Sequence, residues 1–514
     1  MYKTELNFRT IVVGAIVIKI ALAYMLPITS DEAYFHLWGL YPDINYYDHP
    51  PVLGWLLALS GLVSRHIFVG RMLSIISGLI VALGIHRLVR DVFQAPDKAR
   101  LICLAFIVAP VHMLLVLITT DIPLFLFAAL SGFTLIHAIR RDSGGQVLLS
   151  GAFWGLAVLS KYFAGLMMIG VCCYLVIERP KHWSRYILLW FAGALPFIAL
   201  HVYGNYQNCW TNVLFNVVNR NKSVNWHISG LLTFFGFQIY LATPWVAYYL
   251  LRQAATLRRS LGTAPRLLIY VFAGPLIILA VVAGHHTGLH WSLAFYPFLF
   301  GLLIRLTRPQ LNRIVILSMI FSGLHIVPAF TLLALPIETF KAHTYYRDLV
   351  LCKYGDELFD RIKARYGSNY IWATNGYYTS GAMTYHSGEH FIVFLDNSKY
   401  GRQDDKLTDF RDFDGDDILM VSTLPVKADF ARYFDSAVSE TLTLRHNTFF
   451  INIGKGFDYA AYRDCVLLKA YKDWYTRPGF LPEGKCFFKE KYFPTLQDPA
   501  SAQTGVVLHR VESE

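Results

Sequence analysis

Ser30-Asp31-Glu32-Ala33-Tyr34-Phe35-His36, followed by Tyr46-Tyr47-Asp48-His49-Pro50-Pro51, interrupts a first half that is otherwise nearly continuous apolar sequence. The stretch follows a first hydrophobic run at 10–28 and sets three carboxylates and two histidines, His36 and His49, at its end. Carboxylates next to a bilayer are costly to desolvate and tend to mark function. They are also the groups that take a proton from a hydroxyl. The reading that follows is a membrane protein with its chemistry in the first loop outside the bilayer.

The bulk numbers agree. Of 514 residues, 55% are hydrophobic and 16% are charged, with a mean hydropathy of +0.41. A soluble chain carries about 25% charged residues. Windows long enough to cross a bilayer predict about eleven spans, at 10–28, 67–86, 101–118, 122–139, 147–159, 162–177, 186–203, 228–251, 267–284, 291–304 and 314–336. The run 10–28 lacks a small-residue cleavage site and reads as an uncleaved span. The net charge of +11 is no nucleic-acid signal, because the basic residues sit in short loops between spans. With the N-terminus cytoplasmic, the inner loops collect eighteen Lys and Arg and the outer ones five. That asymmetry places the loop 29–65 on the outer side, with the C-terminal region.

From residue 337 charged residues become frequent and apolar runs shorten. A helix over 345–366 and strands at 370–373, 391–395, 418–421 and 449–453 predict a small α/β domain over 337–514, beside a membrane domain over 1–336. Of seven cysteines, Cys352, Cys465 and Cys486 lie in that outer region, where the sequence allows one disulfide among the three and assigns no pair.

Several residues are candidates for chemistry, each with a plain alternative. Asp31 and Glu32 are a base and its neighbour, or a helix cap. Asp48 is a second carboxylate of the same loop, or the cap of the short helix after Pro50-Pro51. Tyr47 and His49 suit an acceptor cleft, or an interfacial belt. Asp121, in Thr119-Thr120-Asp121-Ile122-Pro123, orients a basic partner or caps a span. Lys161, in Leu159-Ser160-Lys161-Tyr162, holds a lipid phosphate or snorkels. Arg71 and Arg220 are weaker phosphate candidates. His286, His290 and Trp291 belong to an outer loop with three histidines. It reads foremost as an acceptor-binding loop; a divalent metal held with Glu32 or His49 is the other reading, and metal dependence is left open.

The order of these motifs resembles the bacterial branch of the dolichyl-phosphate-mannose-protein mannosyltransferase and aminoarabinose-transferase superfamily. The resemblance covers 1–313, and His290-Trp291 is similar to a His-Trp those proteins carry at a late span. It implies a GT-C fold with a C-terminal periplasmic α/β domain, in a multi-pass protein of the bacterial inner membrane. It also implies an inverting transfer from an undecaprenyl-phosphate-linked sugar to a glycolipid, glycan or protein hydroxyl. In that pattern Asp31 matches the catalytic acidic position and Lys161 a donor-phosphate position. The loop Tyr-Asp-His-Pro-Pro departs from the aminoarabinose transferases, so that sugar and lipid A are not implied. Two other readings stay open: a lipid or sugar transporter, and a non-catalytic subunit of an envelope-assembly complex.

Overall fold

The computed structural model describes residues 7–219, 226–284, 288–395, 398–426 and 430–496. Helices α1 (Phe8–Met25), α2 (Ser30–Leu40), α3 (Val52–Gly61) and α4 (Ile67–Arg87) open the chain. Next come α5 (Pro96–Ile107), α6 (Pro110–Leu114), α7 (Asp121–Arg141), α8 (Gly144–Val158), α9 (Ala164–Glu178) and α10 (Trp183–Gln207). The helical part closes with α11 (Thr211–Val213), α12 (Ile228–Ala242), α13 (Pro244–Ser260), α14 (Leu267–Ala283), α15 (Tyr296–Leu302) and α16 (Arg308–Ala334).

Among the described residues six helical stretches are long and apolar enough to cross a bilayer, or seven if the bent pair α12–α13 is one span. The eleven expected windows exceed this for local reasons. Pro110 lacks an N–H and clashes with the preceding turn, so the window 101–118 splits into α5 and the five-residue α6. At Thr243-Pro244 the window 228–251 bends by 100°, with Thr243 at φ 67°. Helices α8 and α9 have 15 residues each, about 22 Å of rise against roughly 30 Å of hydrocarbon. The window 291–304 is a 3-10 turn, Leu289–Phe295, running into the seven-residue α15. Its Phe295, Tyr296, Phe298 and Leu303 are buried at the centre of the helices, so it is apolar because it is core.

Lipid solvates leucine as well as protein does, so packing between such helices rests on close approach and shared hydrogen bonds. Helices α8 and α10 touch backbone to backbone: a Cβ on Gly193 would stand 2.0 Å from the Leu148 carbonyl oxygen. Ser131 and Ser150 cross-link α7 and α8, each hydroxyl donating to the other's carbonyl at 2.8 and 2.7 Å.

The C-terminal part carries α17 (Tyr346–Tyr366), β1 (Ile371–Thr374), α18 (Tyr377–Ser387), β2 (Ile392–Val393), α19 (Asp404–Leu407), β3 (Ile418–Ser422), β4 (Phe434–Leu444) and β5 (Asn447–Phe457). The sheet runs β2-β1-β3-β5-β4, parallel across β2, β1 and β3 and antiparallel beyond. Strand β4 escaped the sequence reading. It is an edge strand rich in exposed polar residues, and its turn uses Arg445 and His446, both at positive φ, in place of the usual Asn-Gly. Helix α18 rests on α2 so closely that a Cβ on Gly381 would stand 2.8 Å from the Ala33 carbonyl carbon.

No bond joins two of Cys352, Cys465 and Cys486; Cys486 pairs instead with Cys209, across 277 residues. The segment before Cys486 folds back onto the end of α10. There Cys209 N–H donates to the Lys485 carbonyl at 2.8 Å, and Lys485 N–H to the Tyr206 carbonyl at 2.9 Å. Cys352 and Cys465 are free thiols. Peptide mapping of the unreduced protein is expected to recover a Cys209 peptide joined to a Cys486 peptide; a Cys465–Cys486 link would contradict the fold.

Candidate functional site

Helix α2 begins at a capping box, with Thr29 rather than Ser30 or Asp31 as the N-cap. Thr29 Oγ1 accepts from Glu32 N–H at 3.3 Å, and Glu32 Oε2 accepts from Thr29 N–H at 3.1 Å. The rest of Glu32 is spent on Arg71. Arg71 Nε reaches Oε1 at 2.9 Å and Nη2 reaches Oε2 at 2.6 Å, both side chains being 0% exposed. Arg71 also donates to the carbonyls of Ala23, Leu26 and Pro27 at 2.7–2.8 Å, which uses all five of its N–H groups. Ile118 N–H completes the cage at Glu32 Oε1, 2.9 Å away. Two sequence expectations are corrected here. Glu32 keeps no open oxygen for catalysis, and Arg71 keeps no N–H for a donor phosphate.

Successive residues on a helix point about 100° apart, so Asp31 faces away from this cage and is exposed. Protein surrounds it closely enough to strip part of its hydration. Burial first, then the charge of Asp48, raise its pKa, while His49 and His290 pull the other way. Asp48 is buried; its Oδ1 accepts from Tyr34 Oη at 3.3 Å. His49 Nδ1 also lies 3.3 Å from that oxygen, a charge contact without the alignment of a hydrogen bond.

The third carboxylate, Asp121, starts α7 and is nearly covered. Lys161 Nζ stands 2.8 Å from each of its oxygens and over the Phe163 ring at 5.5 Å. His290 Nε2 lies 3.7 Å from Asp121 Oδ2. Lys161 is therefore already paired, with one of its three N–H groups left. Trp291 packs on Phe163, ring centroids 4.5 Å apart. Asp31, Asp48, His49, His290, Asp121 and Lys161 thus form one polar patch at the ends of α2, α7 and α8. Arg220 and His286 lie outside the described residues. Among the described residues no three His, Cys, Asp or Glu side chains gather into a metal-holding group.

The loop carrying Asp48 is held from two sides. Asn212 and Asn216 donate through Nδ2 to the carbonyls of Tyr46 and Asp48, at 3.0 and 2.8 Å. From α19 and its N-cap, Gln403 Oε1 accepts from Tyr47 N–H at 2.8 Å. Lys406 Nζ donates to the Asn45 carbonyl at 2.9 Å and pairs with the Asp43 carboxylate. Tyr47, expected at an acceptor cleft, is 1% exposed and packs against Phe215 and Tyr475. Sequence reasoning missed Gln403, Lys406, Asn212 and Asn216. Single amides and a lysine in polar segments carry no spacing that points to a partner hundreds of residues away.

Residues 48–203 match the family described as dolichyl-phosphate-mannose-protein mannosyltransferase. ArnT from Cupriavidus metallidurans has a similar structure, with TM-score 0.62 in its apo state and 0.61 bound to undecaprenyl phosphate. Both alignments cover 86% of this chain and 97% of ArnT at 12% identity, which speaks to fold alone. Over 48–203 the chain is similar to that family, and its fold is similar to that of ArnT. Lipid A galacturonosyltransferase RgtD of Rhizobium johnstonii is 27% identical over 241 residues, 43% of this chain and 49% of that protein. The chain thus matches about half the length of this curated relative.

Two outcomes test this geometry. Arg71→Met with Glu32 intact leaves a buried carboxylate unpaired, at a cost of about 3–5 kcal/mol. It is expected to lower the melting temperature clearly, whereas Glu32→Leu with Arg71→Met costs less than the two single changes added. A wild-type melting temperature for the single variant would contradict the cage. Gln403→Ala is expected to speed amide hydrogen exchange at Tyr47 by about tenfold, the loss of roughly one hydrogen bond; unchanged exchange would remove the clamp.

Proposed function

We propose that the chain is an inverting glycosyltransferase moving a sugar from undecaprenyl phosphate to an acceptor hydroxyl on the periplasmic face of the inner membrane. The observation that carries this reading is Asp31: an open carboxylate with a raised pKa, beside the Asp121–Lys161 pair at the helix ends. The names of the relatives support it, since RgtD is a lipid A galacturonosyltransferase and one ArnT structure holds undecaprenyl phosphate.

The chemistry needs one base and no strong acid. Asp31 takes the proton of the acceptor hydroxyl, the hydroxyl oxygen bonds to the anomeric carbon, and the carbon–oxygen bond to phosphate breaks with its electron pair leaving on the phosphate. Positive charge is wanted where that pair arrives. The remaining N–H of Lys161 provides it, with His290 beside it, and Asp121 holds the ammonium in place. Asp48 keeps Asp31 basic through its nearby charge, and His49 balances the pair. The acceptor is a glycolipid, a glycan or a protein.

The topology belongs to the same proposal: N-terminus cytoplasmic, membrane domain over 1–336, and a periplasmic domain over 337–514. The excess of basic residues in alternate loops supports it. So does the Cys209–Cys486 disulfide, because disulfides persist in oxidising compartments. A transporter is less favoured. Transporters place coupling charges near the midplane, whereas Asp31, Asp121 and Lys161 lie at helix ends.

Purified protein given an undecaprenyl-phosphate sugar and a hydroxyl acceptor is expected to yield glycosylated acceptor and free undecaprenyl phosphate. Vectorial lipid movement without transfer would favour the transporter, and neither would favour a non-catalytic subunit. A pH profile tests the base. Asp31 works when ionised, so transfer falls as pH drops through its raised pKa. Its acid limb therefore lies above that of an unburied aspartate. Asp48→Asn removes a neighbouring negative charge and is expected to move that limb to lower pH. A limb that stays put or rises would contradict the assignment.

A further inference from the structure

On the far side of α2 from Asp31 lies a second polar feature that the transfer chemistry does not use. A cavity of about 120 Å³ opens between α2, the end of α3 and the start of α4. Its lining includes His36, Ser60, Ser64, Arg65 and His66, and no Asp or Glu. Asp31 and His36 are five positions apart, about 140° around the helix, so the cavity and the reactive patch open on different faces. Ile118, whose N–H closes the Glu32 cage, lines the cavity.

The lining carries no acid; Ser60 Oγ already donates to the Leu57 carbonyl at 2.9 Å, which leaves Arg65 and His66 as its donors. Arg65 makes no ion pair or hydrogen bond among the described residues. An arginine fork left open in a cavity suits a phosphate. His66 accepts from Phe68 N–H through Nδ1 at 3.2 Å, which fixes its proton on Nε2 as a donor. His36 is held by the Tyr385 ring, centroids 5.1 Å apart. Burial, then the charge of Arg65, push the His36 pKa down to about 4. An anion between them would reverse the second effect. The volume is about that of four waters, enough for one tetrahedral anion and too small for a sugar phosphate.

The rim says where the anion comes from. Leu59, Leu62 and Val63 are 63%, 82% and 81% exposed at the end of α3, directly beside Arg65. Helix α3, with ten residues, is too short to span. An exposed apolar lip next to a cavity holding an arginine matches acyl chains below and a headgroup phosphate above.

We propose that this cavity binds the phosphate ester of a membrane lipid, with Arg65 as the principal ligand, His36 and His66 beside it, and Leu62 and Val63 against the acyl chains. The site is independent of the transfer reaction, and its test does not read transfer. Native mass spectrometry of the full-length protein, stripped of lipid in detergent, would be run with phosphatidylglycerol and with the diacylglycerol of the same chains. One retained phosphatidylglycerol is expected, with at least tenfold weaker retention in Arg65→Gln, partial recovery in Arg65→Lys, and no comparable diacylglycerol adduct. His36→Gln serves as a second variant, and wild-type melting temperatures show that both variants fold. Displacement by millimolar inorganic phosphate would show that the anion alone suffices, and its failure that the lipid body is needed; both uphold the site. Equal retention by Arg65→Gln and His36→Gln, or equal retention of diacylglycerol, would overturn it.

Discussion

The structure turns on Arg71. A guanidinium with five N–H groups sits fully enclosed between the end of α1, the start of α2 and the chain before α7. Enclosing such a charge is tolerable only when every donor is met and a carboxylate balances it. Glu32 supplies the carboxylate, and three carbonyls at the end of α1 supply the rest. The pair therefore fixes how the first span turns into α2. It also ties in Ile118, three residues before Asp121. Two carboxylates of the polar patch, Asp31 and Asp121, are positioned from one buried ion pair.

That frame explains why neighbouring acids have different environments. Glu32 points inward to its arginine, while Asp31, one residue back, faces the open patch. The third carboxylate is held differently. Asp48 sits on a loop that Tyr46 N–H closes onto the His49 carbonyl at 3.2 Å, and asparagines after α10 and side chains of the C-terminal part grip its backbone from outside. The Cys209–Cys486 disulfide joins those two grips covalently. The C-terminal part is in this sense a component of the site, reaching it through Gln403 and Lys406 without lending a side chain to the patch.

Much of this was legible in the sequence. A polar loop after the first span stands out against apolar surroundings, and Asp31, Asp48, Asp121 and Lys161 could be singled out because charge at a membrane border is expensive. The helix α17 and strands β1, β3 and β5 show their periodicity plainly. What stayed hidden depends on direction or distance. Sequence cannot say which of Asp31 and Glu32 turns inward, since both fit a helix start. Nor can it say that Arg71 has spent its donors, or that Cys209 finds a partner 277 residues away. The eleven windows outnumber the six long apolar helices among the described residues because a buried core segment, such as 291–304, is as apolar as one facing lipid.

The central claim is the division of labour between Asp31 and Glu32, and a paired measurement on Asp31→Asn and Glu32→Gln tests it most directly. Each variant is purified, its melting temperature recorded, and its single-turnover transfer from an undecaprenyl-phosphate sugar measured. The account predicts that Asp31→Asn melts like the parent and transfers nothing, while Glu32→Gln melts at a clearly lower temperature. An Asp31→Asn protein with parental turnover, or a Glu32→Gln protein with parental stability, would contradict it.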